Sequence, residues 1–406
     1  MIPLEEAQAH VLSTCRVLDP ADVALADARA LVLAAEVVSP EAVPPFANTA
    51  MDGYAVRAVD TNGAGEAQPV RLRVVDELPA GRAPERAVGP GEAIRIMTGA
   101  PVPDGADAIV MVERTRVDGD TVLVQAEANH GDHVRAAGGD IAAGAVVFER
   151  GTALTPAHIG VLASIGVERA HVFRRPRVGV LSTGDELVER GPLQPGQIRD
   201  SNRPMLLALV AEAGCEPVDL GSARDDEALI TSRITHAADT CDALLTSGGV
   251  SVGDYDYVKA VLEQLAKERA GSAFVWWQVA IKPAKPFAFG TLGAVPVFGL
   301  PGNPVSSHVS FELFARPALR TMMGRHDPFR PEVDAVAAAP MRRRPDGKLY
   351  LDRVRVWYED GEYRCERSGA QASNVLSAMA NANGLALLPD GEGVDTGEHL
   401  RVMLLS

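Results

Sequence analysis

Lysines and carboxylates stand beside glycine-rich turns at several points in this chain, and that combination suits phosphate or oxyanion chemistry. The segment Ile281-Lys282-Pro283-Ala284-Lys285-Pro286 places two lysines at fixed spacing. Its prolines hold the backbone extended and limit how the lysines rearrange. The run TSGGVSVGDYD, residues 246–256, puts Ser247, Gly248, Gly249, Ser251 and Gly253 ahead of Asp254 and Asp256. A loop of this kind before a helix can turn backbone N–H groups toward an anion. No Gly-Lys-Ser/Thr follows, so it is not a Walker loop. The run GLPGNPVSS, residues 299–307, brings Pro301, Gly302, Asn303 and Ser306 to a second helix start, where Asn303 caps or N–H groups face an anion.

Carboxylates accompany these loops. STGDEL, residues 182–187, contains Thr183, Gly184, Asp185 and Glu186, and Arg224-Asp225-Asp226-Glu227 forms an acidic cluster. Acids beside lysines and N–H-rich turns fit a hard cation such as Mg²⁺, which needs one or two carboxylates plus phosphate oxygens. Each acidic segment also reads as an ordinary turn or helix start that needs no ligand. Asp52 in MDGYA and Asp140 in GGDI sit at turns near the boundaries of a β-rich stretch, and turn chemistry alone explains both. His10, His130, His133 and His158 stand in no nucleophile or metal context, so no catalytic triad can be argued. Trp276-Trp277 reads as strand packing.

The elements that must position these groups follow from periodicity. Residues 4–38 have apolar positions at helical spacing, broken at Asp19-Pro20. Residues 45–136 carry short strand-like runs between Gly, Pro and Asp clusters and read as a small inserted β domain. Flanking segments 1–44 and 137–174 read as one helical and linker domain, with a helix over 156–166. Residues 175–325 alternate strands near 177–181, 216–220, 243–246 and 295–298 with helices near 204–213, 227–238 and 255–269. That is the pattern of a doubly wound, mainly parallel α/β sheet, whose ligands bind beyond the carboxyl ends of the strands. Residues 326–406 read as a C-terminal β domain.

Bulk properties bound the reading. A chain of 406 residues exceeds what one core serves, which implies about two to four domains. A net charge of −15 argues against a nucleic-acid surface. Cys15, Cys215, Cys241 and Cys365 are widely spaced and form no C-x-x-C pair, which points to buried free thiols. Neither a signal peptide nor an apolar run of about 18 residues is evident, so no membrane association is expected and the cytoplasm is the expected compartment.

Taken in order, PPFANTAMDGYAV, STGDEL, SGGVSVGDYDYVK, IKPAKPFAFG and GLPGNPVSS closely resemble the molybdopterin molybdenumtransferase family, to which the gephyrin E-domain is similar. The resemblance spans nearly the whole chain. It implies a molybdopterin-binding fold for residues 175–325 and an elongated homodimer with the site shared with the partner chain. It implies insertion of molybdate into adenylylated molybdopterin, with release of AMP, assisted by Mg²⁺. The molybdopterin adenylyltransferase is an expected partner. Carried over by position, Asp52, Asp140, Glu186, Asp225 or Asp226, and Asp256 match the family's acids. Asp52, Glu186, Asp225 and Asp256 would be the metal ligands among them. Lys282 and Lys285 match the lysine pair that handles oxyanions, and Ser306, Arg353 and Ser373 match a molybdate pocket. Ala284, Thr49 and Asn374 depart from the family's usual glycine and serines. Two other readings remain: a molybdopterin adenylyltransferase, and a scaffold of the same fold without catalysis.

Overall fold

The computed structural model describes residues 1–249 and 257–405. Ser251, Gly253, Asp254 and Asp256 therefore lie outside the described residues. The chain divides into two compact units, one of Met1–Asp22, Ala30–Ala34 and His171–Ser406, the other of Val23–Arg29 and Ala35–Ala170.

The centre of the first unit is a six-stranded sheet: β1 Arg177–Thr183, β2 Glu216–Ala223, β3 Ala243–Ser247, β4 Ala273–Gln278, β5 Pro286–Leu292 and β6 Val295–Leu300. Their spatial order is β2-β1-β3-β6-β5-β4, with the first four parallel and β5 and β4 antiparallel at one edge. The connecting helices are α1 Asn202–Glu212, α2 Glu227–Thr240 and α3 Tyr257–Glu268. After β1 the chain moves to β2 on one side, then crosses to β3 on the other. The switch point lies between β1 and β3, where open α/β sheets bind ligands.

Sequence pattern dictates this layering. All five residues of β3, and every residue of β1 after Arg177, are buried, as befits strands covered on both faces. Val178, Val180, Ala243 and Leu245 enter one core with Leu206, Leu209 and Val210 of α1. Leu181 and Leu244 face the opposite core with Ile230 and Ile234 of α2 and Val258, Val261 and Leu262 of α3. The helical residues recur three or four apart, and each large aliphatic side chain so buried contributes about 2 kcal/mol.

Residues 4–38 depart from their expected helicity after Thr14. Leu4–Thr14 is helical and buries Leu4, Ala7 and Val11 in the first core. Leu31, Val32 and Leu33 are instead three consecutive buried residues, which a one-sided helix cannot provide, and Ala30 takes a left-handed φ of 66° just before them. Their apolar spacing reflects an extended segment covered on both sides, in which Leu33 bridges to Val172. Leu4–Thr14 thus belongs to the first unit, whereas the expected helix at Pro156–Ser164 belongs to the second and packs on the turn Leu25–Asp27.

A second sheet of the first unit contains Glu332–Ala337, Leu349–Glu359, Glu362–Arg367, Gly384–Leu388 and His399–Leu404, and pairing of Leu349–Glu359 with both Glu362–Arg367 and Gly384–Leu388 closes it into a barrel. Ile281–Lys282, part of the lysine segment, adds to this sheet by pairing in parallel with Leu349 and Tyr350. The second unit is built on a six-stranded sheet of 108–111, 53–56, 92–96, 70–78, 121–124 and 115–118, within the stretch read as a β domain. All four cysteines are free and buried. Among the described residues, no helix is long and apolar enough to cross a membrane.

Candidate functional site

Three βα loops meet at the switch point around a pocket of about 330 Å³. Thr183, Gly184 and Glu186 line it from the end of β1, Gly248 and Gly249 from β3, and Pro301, Gly302 and Asn303 from β6. Asp225, Tyr257, Val258 and Pro286 complete the wall. Two glycines make this approach possible. Gly248 has a φ of +94°, and a Cβ there would lie 2.8 Å from the Thr183 carbonyl oxygen. Gly184 has a φ of +146°, and its Cβ would strike the Glu186 carboxylate. Only glycine adopts such backbone cheaply.

Asn202, absent from the sequence-based set, ties these loops together. Its buried Nδ2 donates to Ser247 Oγ and to the Gly302 carbonyl, both at 2.7 Å, linking the end of β3 to that of β6. Next to it, Asp200 accepts from Ser182 Oγ at 3.2 Å and from the Arg203 backbone N–H at 3.1 Å. Arg203 Nη1 in turn donates to both carboxylate oxygens of Asp219, at 2.7 and 2.6 Å. The signal available was a polar run, Asp200-Ser201-Asn202, opening a helix that follows the first strand. Ser247 is itself engaged by Asn202, so its hydroxyl serves the fold.

The acidic segments divide their roles. Asp225 lines the pocket and its backbone N–H donates to Asp185 Oδ1 at 3.2 Å. Asp226 does not line it. Its carboxylate accepts from the Leu229 N–H at 2.9 Å and caps α2, as a helix start with free N–H groups favours. Of the two roles open to Asn303, capping is not seen among the described residues: it precedes the helix Pro304–Ser310, yet its side chain makes no capping bond and the residue lines the pocket.

Partial burial, with the Asp185 and Glu186 charges nearby, holds the Asp225 carboxyl above its ordinary pKa. A raised acid favours folding while protonated and loses that contribution as pH rises through its folded pKa. Asp225→Asn is therefore expected to raise the melting temperature at neutral pH by about 1–2 °C, a small gain because the group is exposed and screened. The difference should shrink as pH falls and Asp225 takes up its proton. Differential scanning fluorimetry across pH checks this, and a lower melting temperature for the variant at neutral pH would refute it.

The two lysines part company. Lys282 lines a separate pocket of about 310 Å³, together with Pro283, Arg342, Tyr350, Asp352, Arg353, Arg367 and Gly369–Gln371. Lys285 is exposed and lines neither pocket. The separation follows from the strand pairing that draws Ile281–Lys282 to the C-terminal barrel. Glu186 and Lys282 thus line two different cavities, joined by the segment from Pro283 to Pro286.

The second cavity is cationic. Arg353 is fully buried, and its Nη2 donates to the carbonyls of Ala370 and Ala372 at 3.2 and 3.1 Å. Among the described residues, its buried Nε and Nη1 find no acceptor. Burial and the neighbouring Arg367 push its pKa down, opposed by Asp352. Asp352 is paired with Arg367 at 2.6 Å. A buried guanidinium with unmet donors is costly unless an anion completes it. Ser306 is buried, and the Ser373 carbonyl accepts from the Val305 N–H at 3.2 Å; neither residue lines either of these two cavities.

The remaining acids lie in the second unit. Asp52, at the turn before the strand Gly53–Val56, accepts from the backbone and hydroxyl of Thr98, both at 2.7 Å. The Thr98 N–H is the main reason its carboxyl lies below the usual range. Asp140 is exposed, and its backbone N–H donates to the Val43 carbonyl at 3.0 Å. Among the described residues no group of three or more His, Cys, Asp or Glu is gathered as for a metal ion.

Comparison with known proteins agrees with this architecture along the chain. Residues 2–166 match the MoeA N-terminal region (domain I and II), 179–321 a probable molybdopterin binding domain, and 334–405 the MoeA C-terminal region (domain IV). The chain is 43% identical over 404 residues to molybdopterin molybdenumtransferase 2 of Mycobacterium tuberculosis, covering 99% of each protein. It is 34% identical to the molybdopterin molybdenumtransferase of Bacillus subtilis, covering 100% of this chain and 94% of that one. The crystal structure of a molybdopterin biosynthesis MoeA protein from Pyrococcus horikoshii OT3 superposes with a TM-score of 0.80 at 30% identity, covering both chains fully. With three consecutive family regions and full-length relatives in agreement, the chain belongs to the molybdopterin molybdenumtransferase family and is an enzyme of molybdenum cofactor biosynthesis.

Proposed function

We propose that the chain inserts molybdate into adenylylated molybdopterin and releases AMP, in a Mg²⁺-dependent reaction. The observation that carries this reading is the buried Arg353 guanidinium, whose Nε and Nη1 lack acceptors among the described residues; Arg353 borders a cavity also lined by Lys282, Arg342 and Arg367. Such a set suits a small tetrahedral dianion, which can take several charge-assisted hydrogen bonds at once. The adjoining pocket offers a different chemistry. Glycine walls at Gly184, Gly248, Gly249 and Gly302 allow a phosphate-bearing pterin to approach the backbone closely.

Among the described residues, Glu186 and Asp225 are the carboxylates in that pocket, and burial, followed by the Asp185 and Glu186 charges, raises the Asp225 pKa. A pair of acids with no cationic partner among the described lining residues fits Mg²⁺ carried in by substrate phosphates. When bound, the ion supplies charge neutralisation on phosphate oxygens as the anhydride breaks. The chain's own part is to hold the oxyanion beside the pterin and to fix its geometry, which needs no protein nucleophile. Asp52, Asp140 and Asp256 are assigned to the same chemistry from their motifs. The site is proposed to be shared with a second copy of the chain in a cytoplasmic homodimer, which receives its substrate from the molybdopterin adenylyltransferase.

The direct test supplies purified protein with adenylylated molybdopterin, molybdate and Mg²⁺. Molybdate-dependent release of AMP is expected, at a rate at least 100-fold above the protein-free mixture. An unchanged substrate under those conditions would sink the proposal.

A further inference from the structure

Lys282 keeps its charge unneutralised in an unusual way. Among the described residues it makes no ion pair; its ammonium instead donates to the hydroxyl of Tyr350 at 3.0 Å and lies 4.5 Å from the centroid of that ring. An ammonium has no acceptor, so the tyrosine oxygen must accept, and the phenolic proton turns to Asp346 Oδ2 at 3.2 Å. The ring is held in its own right. The Arg343 guanidinium carbon is 3.9 Å from the ring centroid, and Arg343 is pinned by the carbonyls of Lys348, Leu388 and Pro389 and by Asp390. Backbone pairing places Lys282 opposite Tyr350 in register, and the Leu349 N–H donates to the Ala280 carbonyl at 2.8 Å.

The geometry points to Tyr350 as a positioning residue that holds the Lys282 ammonium on the wall of the cationic cavity without neutralising it, presenting it to a tetrahedral oxyanion. A carboxylate in its place would hold the lysine equally well but cancel the charge the anion needs. A lysine left alone on its four-carbon stem would keep the charge but lose the fixed direction. A neutral hydroxyl and an aromatic face provide both the hold and the charge. The inference rests on the oxyanion reading of this cavity, since Tyr350 touches Lys282 and acts through it.

Calorimetric titration with sodium molybdate separates the two ideas, using Tyr350→Phe, Lys282→Ala and the double variant. Phenylalanine keeps the ring and removes the hydroxyl. Tyr350→Phe is expected to weaken molybdate binding about 3- to 10-fold. Lys282→Ala should weaken it at least as much, and the double variant no more than Lys282→Ala alone. In turnover, Tyr350→Phe should raise the KM for molybdate while its kcat at saturating molybdate and its KM for the pterin substrate stay at parent values, a split that a loss of folding would not produce. Parent-like affinity in Tyr350→Phe alongside weakened binding in Lys282→Ala overturns the role of Tyr350 and leaves the cavity reading standing. Additive effects in the double variant overturn it too, because the hydroxyl would then act elsewhere. Parent-like affinity in Lys282→Ala removes the oxyanion reading itself, and the inference with it.

Discussion

Arg353→Met is expected to fold with a melting temperature equal to or above that of the parent, while its affinity for molybdate falls by about 100-fold. The two outcomes have one cause. Arg353 is fully buried and, among the described residues, pairs with no carboxylate and leaves Nε and Nη1 unsatisfied. The effective penalty for an uncompensated buried ion is several kcal/mol. Against it stand two hydrogen bonds from Nη2 to the carbonyls of Ala370 and Ala372, each worth about 1 kcal/mol net. Desolvation wins, so an unbranched apolar side chain of similar reach should relieve the fold. Losing two or three charge-assisted bonds to an oxyanion costs roughly 3 kcal/mol, which is the 100-fold loss. Thermal denaturation beside molybdate titration reads both effects. A variant that melts well below the parent would show that the guanidinium is structural, and one that binds molybdate normally would remove the cavity from the reaction.

The α/β unit was legible because its strands are short, apolar and regularly interrupted. The runs at 177–181, 216–220, 243–246 and 295–298 all became strands, each extended by one to three residues at its carboxyl end. Several of those extra residues, Ser182, Thr183 and Ser247 among them, are polar, so hydrophobic patterning stopped short of them even though the sheet buries them. The stretch 21–38 was misread because Leu31 and Ala34 satisfy helical spacing by coincidence within an unbroken apolar run. Periodicity cannot separate a covered extended segment from a helix in so short a window.

Site residues were legible where a loop both starts and ends on the pocket, as with Gly184, Glu186, Gly248 and Asn303. Separation of Lys282 from Lys285 was not. It depends on Ile281–Lys282 pairing with Leu349–Tyr350, a partner more than sixty residues away that no local pattern marks. Tyr350, Arg342 and Arg367 escaped notice for the same reason, since only long-range pairing brings them to the cavity that Lys282 lines. Asp226 illustrates the opposite limit. Two adjacent acids looked equivalent in sequence, and only the helix start decided that one caps while the other faces the cavity.

Gly248→Ala is expected to lower kcat/KM by about 100-fold and to cost roughly 2–4 kcal/mol of stability. Two penalties add. The residue sits at φ +94°, where an L side chain costs roughly 1–2 kcal/mol. The new methyl carbon would also lie 2.8 Å from the Thr183 carbonyl oxygen and 3.1 Å from Thr183 Oγ1. That carbonyl belongs to the end of β1, where Thr183 pairs with Ala223, so it cannot retreat without moving the switch-point strands. Relief must come from the Gly248 loop, whose N–H is tied to the Leu300 carbonyl at 3.1 Å. A shift of a few tenths of an ångström there moves Gly249 on one side and Gly302 on the other, and both line the pocket. Gly302→Ala is the matched control. Its Cβ would meet only the Gly248 Cα, at 3.9 Å, an ordinary contact at a φ outside the left-handed region. It should fold within about 0.5 kcal/mol of the parent, as open glycine positions tolerate a methyl. Equal melting temperatures for the two variants would mean that the close approach of β1 and β3 is not what demands glycine at position 248.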